Sequence, residues 1–264
     1  MIPRHQKPQR SIKILQRKVK IDFPRTVGKI TSIVAKEKPR IVQTSRGLTE
    51  RIPVKTHVLN KGDDLLAAVG HYAGGLLQSG DILTIAESPV AAVQGRAIPL
   101  TQIKPGIWAR ILWRFVKKVP YGIGLRSPWS MQCAIDEVGL PRVLIAAVAG
   151  GIGKLFRKNG IFYRIAGPQA AMIDAAHTSG VKEFYDCVIL GPKDPAGVAH
   201  LLARKLNCPV AVVDANDIFG CTVVGASPGV DPVLVSEALR DNPAGQGDSL
   251  TPIVIIRPQK PTTP

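Results

Sequence analysis

The stretch P-V-A-V-V-D-A-N-D-I-F-G-C-T-V-V-G, residues 209–225, decides how this chain is read. Its apolar run ends in Asp214, Asn216 and Asp217, and Gly220 then lets the backbone turn sharply. A short buried strand that delivers two carboxylates and an amide to its end is how many α/β proteins present a divalent cation to a phosphate. The same residues also suit an Asx-rich turn between two strands, so the surrounding chain has to decide between these readings.

Around this stretch the pattern alternates. Residues 187–190 read as a strand, 195–206 as a helix, 210–213 as the strand already quoted, 231–240 as a helix and 253–257 as a last strand. Upstream, Asp63 or Asp64 caps a helix running to about residue 77, and I-L-T-I-A at 82–86 is a buried strand. That strand empties into E-S-P-V-A-A-V-Q-G-R, residues 87–96, read as a loop where small side chains and Gly95 let a ligand approach the backbone. Residues 107–119 predict a helix with Trp108, Ile111, Leu112, Phe115, Val116 and Val119 on one stripe, which faces a core or a dimer partner more often than a membrane. Residues 144–156, L-I-A-A-V-A-G-G-I-G-K-L-F, lack the G-x-x-x-x-G-K-[ST] phosphate loop, and small-residue packing explains them better. The expected fold class is α+β (mixed α/β), with a body over residues 51–258, a basic and partly disordered extension over 1–50, and a tail over 259–264.

Charge supports the separate extension. Residues 1–62 hold 16 Lys and Arg against 3 acids, and the remaining 19 against 16. So basic a segment predicts contact with a polyanion, or a solvated arm. The four cysteines form no C-x-x-C and stand apart from the five scattered histidines, which argues against zinc and redox chemistry. No G-x-S-x-G is present, so a nucleophilic hydrolase is not expected. The first residues lack the apolar core of a signal peptide, and the longest apolar run, residues 143–152, is about half of what spans a bilayer. A cytoplasmic protein without a transmembrane segment is expected.

Three oxygen-bearing loops remain, at Asp136, at Asp214 to Asp217 and at residues 246–248. Such ligands suit Mg2+ or Mn2+, which bridge to nucleotide phosphates. The order of the motifs G-D-I-L-T-I-A-E-S-P-V-A-A-V-Q-G-R (80–96), A-I-D (134–136), V-I-L-G-P-K-D-P (188–195), D-I-F-G (217–220) and G-Q-G-D-S-L-T-P-I-V-I-I-R (245–257) resembles the coenzyme F420-0:L-glutamate ligases, a family of γ-glutamyl ligases. The resemblance implies a γ-glutamyl ligase-like fold and a homodimer. It also implies an activity in which GTP phosphorylates an acceptor carboxylate and the amino group of L-glutamate displaces the phosphate. By the same resemblance Asp136, Asp217 and Gln246 would hold metal; Asp214 and Asn216 offer further oxygens nearby, with Asp217 preferred because it alone stands in the D-x-F-G frame. Ser88 and the loop of Gly245, Gln246, Gly247, Asp248, Ser249, Leu250 and Thr251 would line the nucleotide. Ser88, Ala91 and Ala92 stand where the family pattern has a lysine and a serine-lysine pair, Gln94 replaces a glutamate, Gly139 an asparagine and Ile218 a threonine. These departures imply a divergent member. A folate or pterin acceptor, or a non-catalytic nucleotide- or polyanion-binding member of the fold, are the alternatives.

Overall fold

Strands covered on both faces must be apolar at successive positions, and three such strands form the centre of the fold. The structure is a computed structural model that describes residues 38–116, 124–158, 160–217, 220–245 and 248–259. The central strands are β3 (Ile82–Ala86), β6 (Val210–Asn216) and β8 (Ile253–Pro258). With β1 (Ile41–Thr44), β2 (Gly47–Val54) and β7 (Gly220–Ala226), they make a six-stranded sheet in the order β1-β2-β8-β3-β6-β7 among the described residues. β3 runs parallel to β6 and antiparallel to β8.

The period of two sorts the side chains between two cores. Leu83, Ile85, Val210, Val212, Ile253 and Ile255 pack with α1 (Leu65–Ala73) and α8 (Pro195–Leu206). Ile82, Ala211, Val213, Val254 and Ile256 pack on the other face with α9 (Pro232–Ala238). Burying each Leu or Ile of this kind contributes about 1.5–3 kcal/mol. The helices start where short acidic caps allow: Asp64 accepts from the Ala67 amide at 3.1 Å, Asp194 from Gly197 at 2.9 Å, and Asp231 from Val233 at 3.0 Å. α8 lies so close to β7 that a Cβ on Gly225 would stand 2.4 Å from the Pro195 carbonyl carbon.

A short ribbon of β4 (Ala97–Pro99) and β5 (Cys187–Ile189) joins the sheet to a helical layer. The layer comprises α3 (Ile107–Leu112), α4 (Pro128–Val138), α5 (Leu140–Leu155), α6 (Ile161–Ala166) and α7 (Pro168–Ala171) around their own core, which includes Met131, Val143 and Val188.

Three expectations change. The extension does not end at residue 50, because β1 and the first half of β2 belong to the main sheet; residues 1–37 and the tail from 260 lie outside the described residues. The expected loop at 87–96 opens as the helix α2 (Glu87–Val93), with Pro89 in its first turn, where a missing amide costs nothing. Its Ala91 and Ala92 are buried against Phe184, Cys187 and Ile189, so these two positions serve packing. Finally, the helix at 107 gives way to a 3-10 turn over Trp113–Phe115, and its stripe is only partly covered: Ile107 and Phe115 are about 70% exposed. Its expected end at Val119 lies outside the described residues.

Candidate functional site

The register of the parallel pair builds the site. Ala86 lies opposite Val213, so the next residues along each strand, Glu87 and Asp214, come to the same sheet edge. β8 runs the other way, and the residues before it arrive at that edge too: the Ala86 amide donates to the Pro252 carbonyl at 2.9 Å, and the Thr56 amide to the Leu250 carbonyl at 2.8 Å. The ends of β3 and β6 and the residues just before β8 therefore meet at one edge of the sheet.

A further carboxylate, Asp174, enters from beyond α7. Its backbone forms a bridge with Ile189, with the Asp174 amide donating at 2.8 Å and accepting through its carbonyl at 3.0 Å. Ser88 Oγ donates to Asp174 Oδ2 at 3.2 Å. Asp174 is exposed as a residue, while protein crowds its carboxyl group closely enough to weaken its hydration.

These carboxyl groups feel one another. Glu87 is buried, and burial followed by the charges of Asp214 and Asp174 pushes its pKa up to about 9. Burial first, and the charge of Asp214, push Asp174 up to about 6, against the lowering by the Ser88 hydrogen bond. Glu87 Oε2 is buried and has no hydrogen-bond partner. An orphaned carboxyl oxygen among repelling carboxylates is the environment that a hard divalent cation relieves, so the chemistry of the donors fits Mg2+ or Mn2+. Among the described residues no group of three or more His, Cys, Asp or Glu closes to metal-binding distance.

The other expected ligands lie as follows. Asp217 follows at the hairpin turn and pairs with Lys38 at 2.6 Å, whose ammonium also donates to the Asn242 carbonyl at 2.7 Å. Asp214, whose charge reaches Glu87 and Asp174, is the electrostatic centre of the hairpin. Asp136 is exposed on α4, where its Oδ1 accepts from Gln132 Nε2 at 2.7 Å one helical turn away. Gln246 and Gly247 lie outside the described residues. In the rest of that loop Ser249 Oγ and Thr251 Oγ1 both donate to the Ala244 carbonyl, at 3.1 and 2.5 Å, and Asn242 Nδ2 donates to the Gly245 carbonyl at 2.9 Å. Gly245 and Leu250 have positive φ, while Asp248 is exposed.

Sequence reading does not single out Glu87 or Asp174. Glu87 was legible as an acid directly after a buried strand; Asp174, as an acid directly after the apolar Ile173.

No individual curated protein matches the chain. The model of the family F420-0:Gamma-glutamyl ligase matches residues 53–243, a span that contains β3, α2, Asp174, β6 and β7. With well over half of its length matched in this way, the chain belongs to the F420-0:gamma-glutamyl ligase family.

Proposed function

We propose that this ligase joins L-glutamate, or an amino acid like it, to a carboxylate-bearing acceptor such as coenzyme F420-0 through an acyl phosphate. GTP is the phosphate donor and Mg2+ or Mn2+ the cation. The observation that supports this reading is the meeting of Glu87, Asp174 and Asp214 where the loop before β8 also arrives. Asp214 and Asp174 would hold the cation, with Glu87 near them, and Asp217 and Gln246 are further candidate ligands. When bound, the cation neutralises charge on the phosphates and carboxylates.

The chain's own part is positioning. Ser88 orients Asp174 by donating to it. The loop of Gly245, Gln246, Gly247, Asp248, Ser249, Leu250 and Thr251 would line the nucleotide. The acceptor carboxylate oxygen bonds to the γ-phosphorus as the nucleoside diphosphate leaves. The amine nitrogen then bonds to the acyl carbon, phosphate leaves with the bonding electrons, and the nitrogen gives up a proton. A folate or other pterin acceptor fits the same chemistry.

Calorimetric titration of the chain with GTP, with Mg2+ or Mn2+ present, tests the reading. Binding that needs the cation and is lost in Asp214→Asn, with circular dichroism unchanged, is the expected result. No nucleotide binding by the parent chain with either cation refutes it.

A further inference from the structure

The near-neutral charge of residues 63–264 conceals two opposed parts. Residues 104–166 carry eleven Lys and Arg against two acids, Asp136 and Glu137, whereas the rest of that span carries eight against fourteen. Glu137 is already paired with Arg96 at 2.7 Å. The helical layer is therefore a cationic part of the folded body, as is the segment of the first two strands, where residues 38–62 carry six Lys and Arg against Glu50.

The same layer exposes an apolar face. On α5, Ile145, Val148, Ile152 and Leu155 recur at helical spacing and are 51–81% exposed, while Val143, Ala146 and Gly153 are buried. On α3 and the turn after it, Ile107, Trp108, Ile111 and Phe115 are exposed while Ala109 is buried. The two stripes are tied together where Lys154 Nζ donates to the Phe115 carbonyl at 3.2 Å. Arg110, Arg114, Lys154, Arg157 and Lys158 are exposed beside them.

We propose that this face docks on an anionic lipid bilayer, with α3 and α5 lying in the interface plane. No single helix among the described residues is long and apolar enough to cross a membrane, and the bent pair of α4 and α5 qualifies by length and composition only. Because α3 and α5 each bury one side in the helical core through Ala109, Val143 and Ala146, it is their exposed sides that lie in the interface. A two-fold dimer through this patch would bring two equally basic surfaces together. Anionic headgroups supply the opposite charge instead, and the acyl region takes the apolar side chains. Trp108 belongs to the residue type favoured at such a boundary.

The test sediments the full chain with phosphatidylcholine vesicles, with and without phosphatidylglycerol, and records tryptophan quenching by brominated acyl chains. Phosphatidylglycerol-dependent sedimentation with quenching is expected. Ile152→Ser with Leu155→Ser, and separately Phe115→Ser, should each lower partitioning about tenfold with the fold unchanged, because lost apolar insertion weakens interfacial binding. Failure to sediment overturns the proposal. So does sedimentation without quenching that high salt abolishes, which assigns contact to the basic N-terminal residues. Variants that leave sedimentation intact but dissociate a dimer in analytical ultracentrifugation overturn it in favour of a second copy of the chain.

Discussion

Replacing Glu87 by glutamine keeps the shape of the side chain and removes its titration. In the folded chain burial, with Asp214 and Asp174 nearby, holds this carboxyl at about 9, against an ordinary value of 4.5. Between these values the folded state keeps a proton that the unfolded chain has lost, so stability falls as pH rises from 4.5 toward 9. Below 4.5 both states are protonated and the penalty vanishes. At pH 7 the interval above 4.5, at about 1.4 kcal/mol per pH unit, corresponds to about 3 kcal/mol. For a body of this size Glu87→Gln should raise the metal-free Tm at pH 7 by roughly 6–12 °C. The gain should shrink to nothing near pH 4.5. Mn2+ should reverse the ranking, because a cation favours the ionised carboxylates that glutamine cannot supply. Calorimetric scans across pH, with and without Mn2+, check this. A Tm for the variant at or below that of the parent at pH 7 without metal would refute the reasoning.

Gly225→Ala drives a methyl group into the backbone of Pro195 and Ala196, atoms that cannot yield without moving α8. Urea unfolding should show a loss of about 3 kcal/mol, and an unchanged midpoint contradicts the packing described. The cysteines should be inert in the folded chain: burial pushes Cys133 and Cys221 up to about 12 and raises Cys187 and Cys208 as well. A thiol reagent at pH 8 should label them only after denaturation. Asp64→Ala removes the cap that accepts from Ala67 and should cost about 1 kcal/mol in the same urea assay.

Much of the sheet was legible because its strands are apolar on both faces and bounded by turn residues; β3, β5, β6 and β8 stand where those runs predict. The starts of α1 and α9 were legible at Asp64 and Asp231, while both helices stop short of the expected residues 77 and 240. The segment after β3 was misread because V-A-A-V suggests room for a ligand, whereas Pro89 so near its start was the better signal of a first helical turn. Asp136 matched a motif by its neighbours, yet its helix turns it away from buried Met131, Cys133 and Ala134. Asp174 was hidden because a bridge to Ile189, fifteen residues on, places it, and no local pattern records such a pairing.

That bridge links the two halves of the chain mechanically. Val188 and Leu190 are seated in the helical core, Ile189 packs beneath α2, and the Ile189 backbone carries Asp174. A rigid-body shift of the helices would pull on β5 and, through it, on both Asp174 and the helix that begins with Glu87. The candidate site and the cationic helical layer are thus joined through β5, a strand of three residues, so a shift of the layer should carry Asp174 with it.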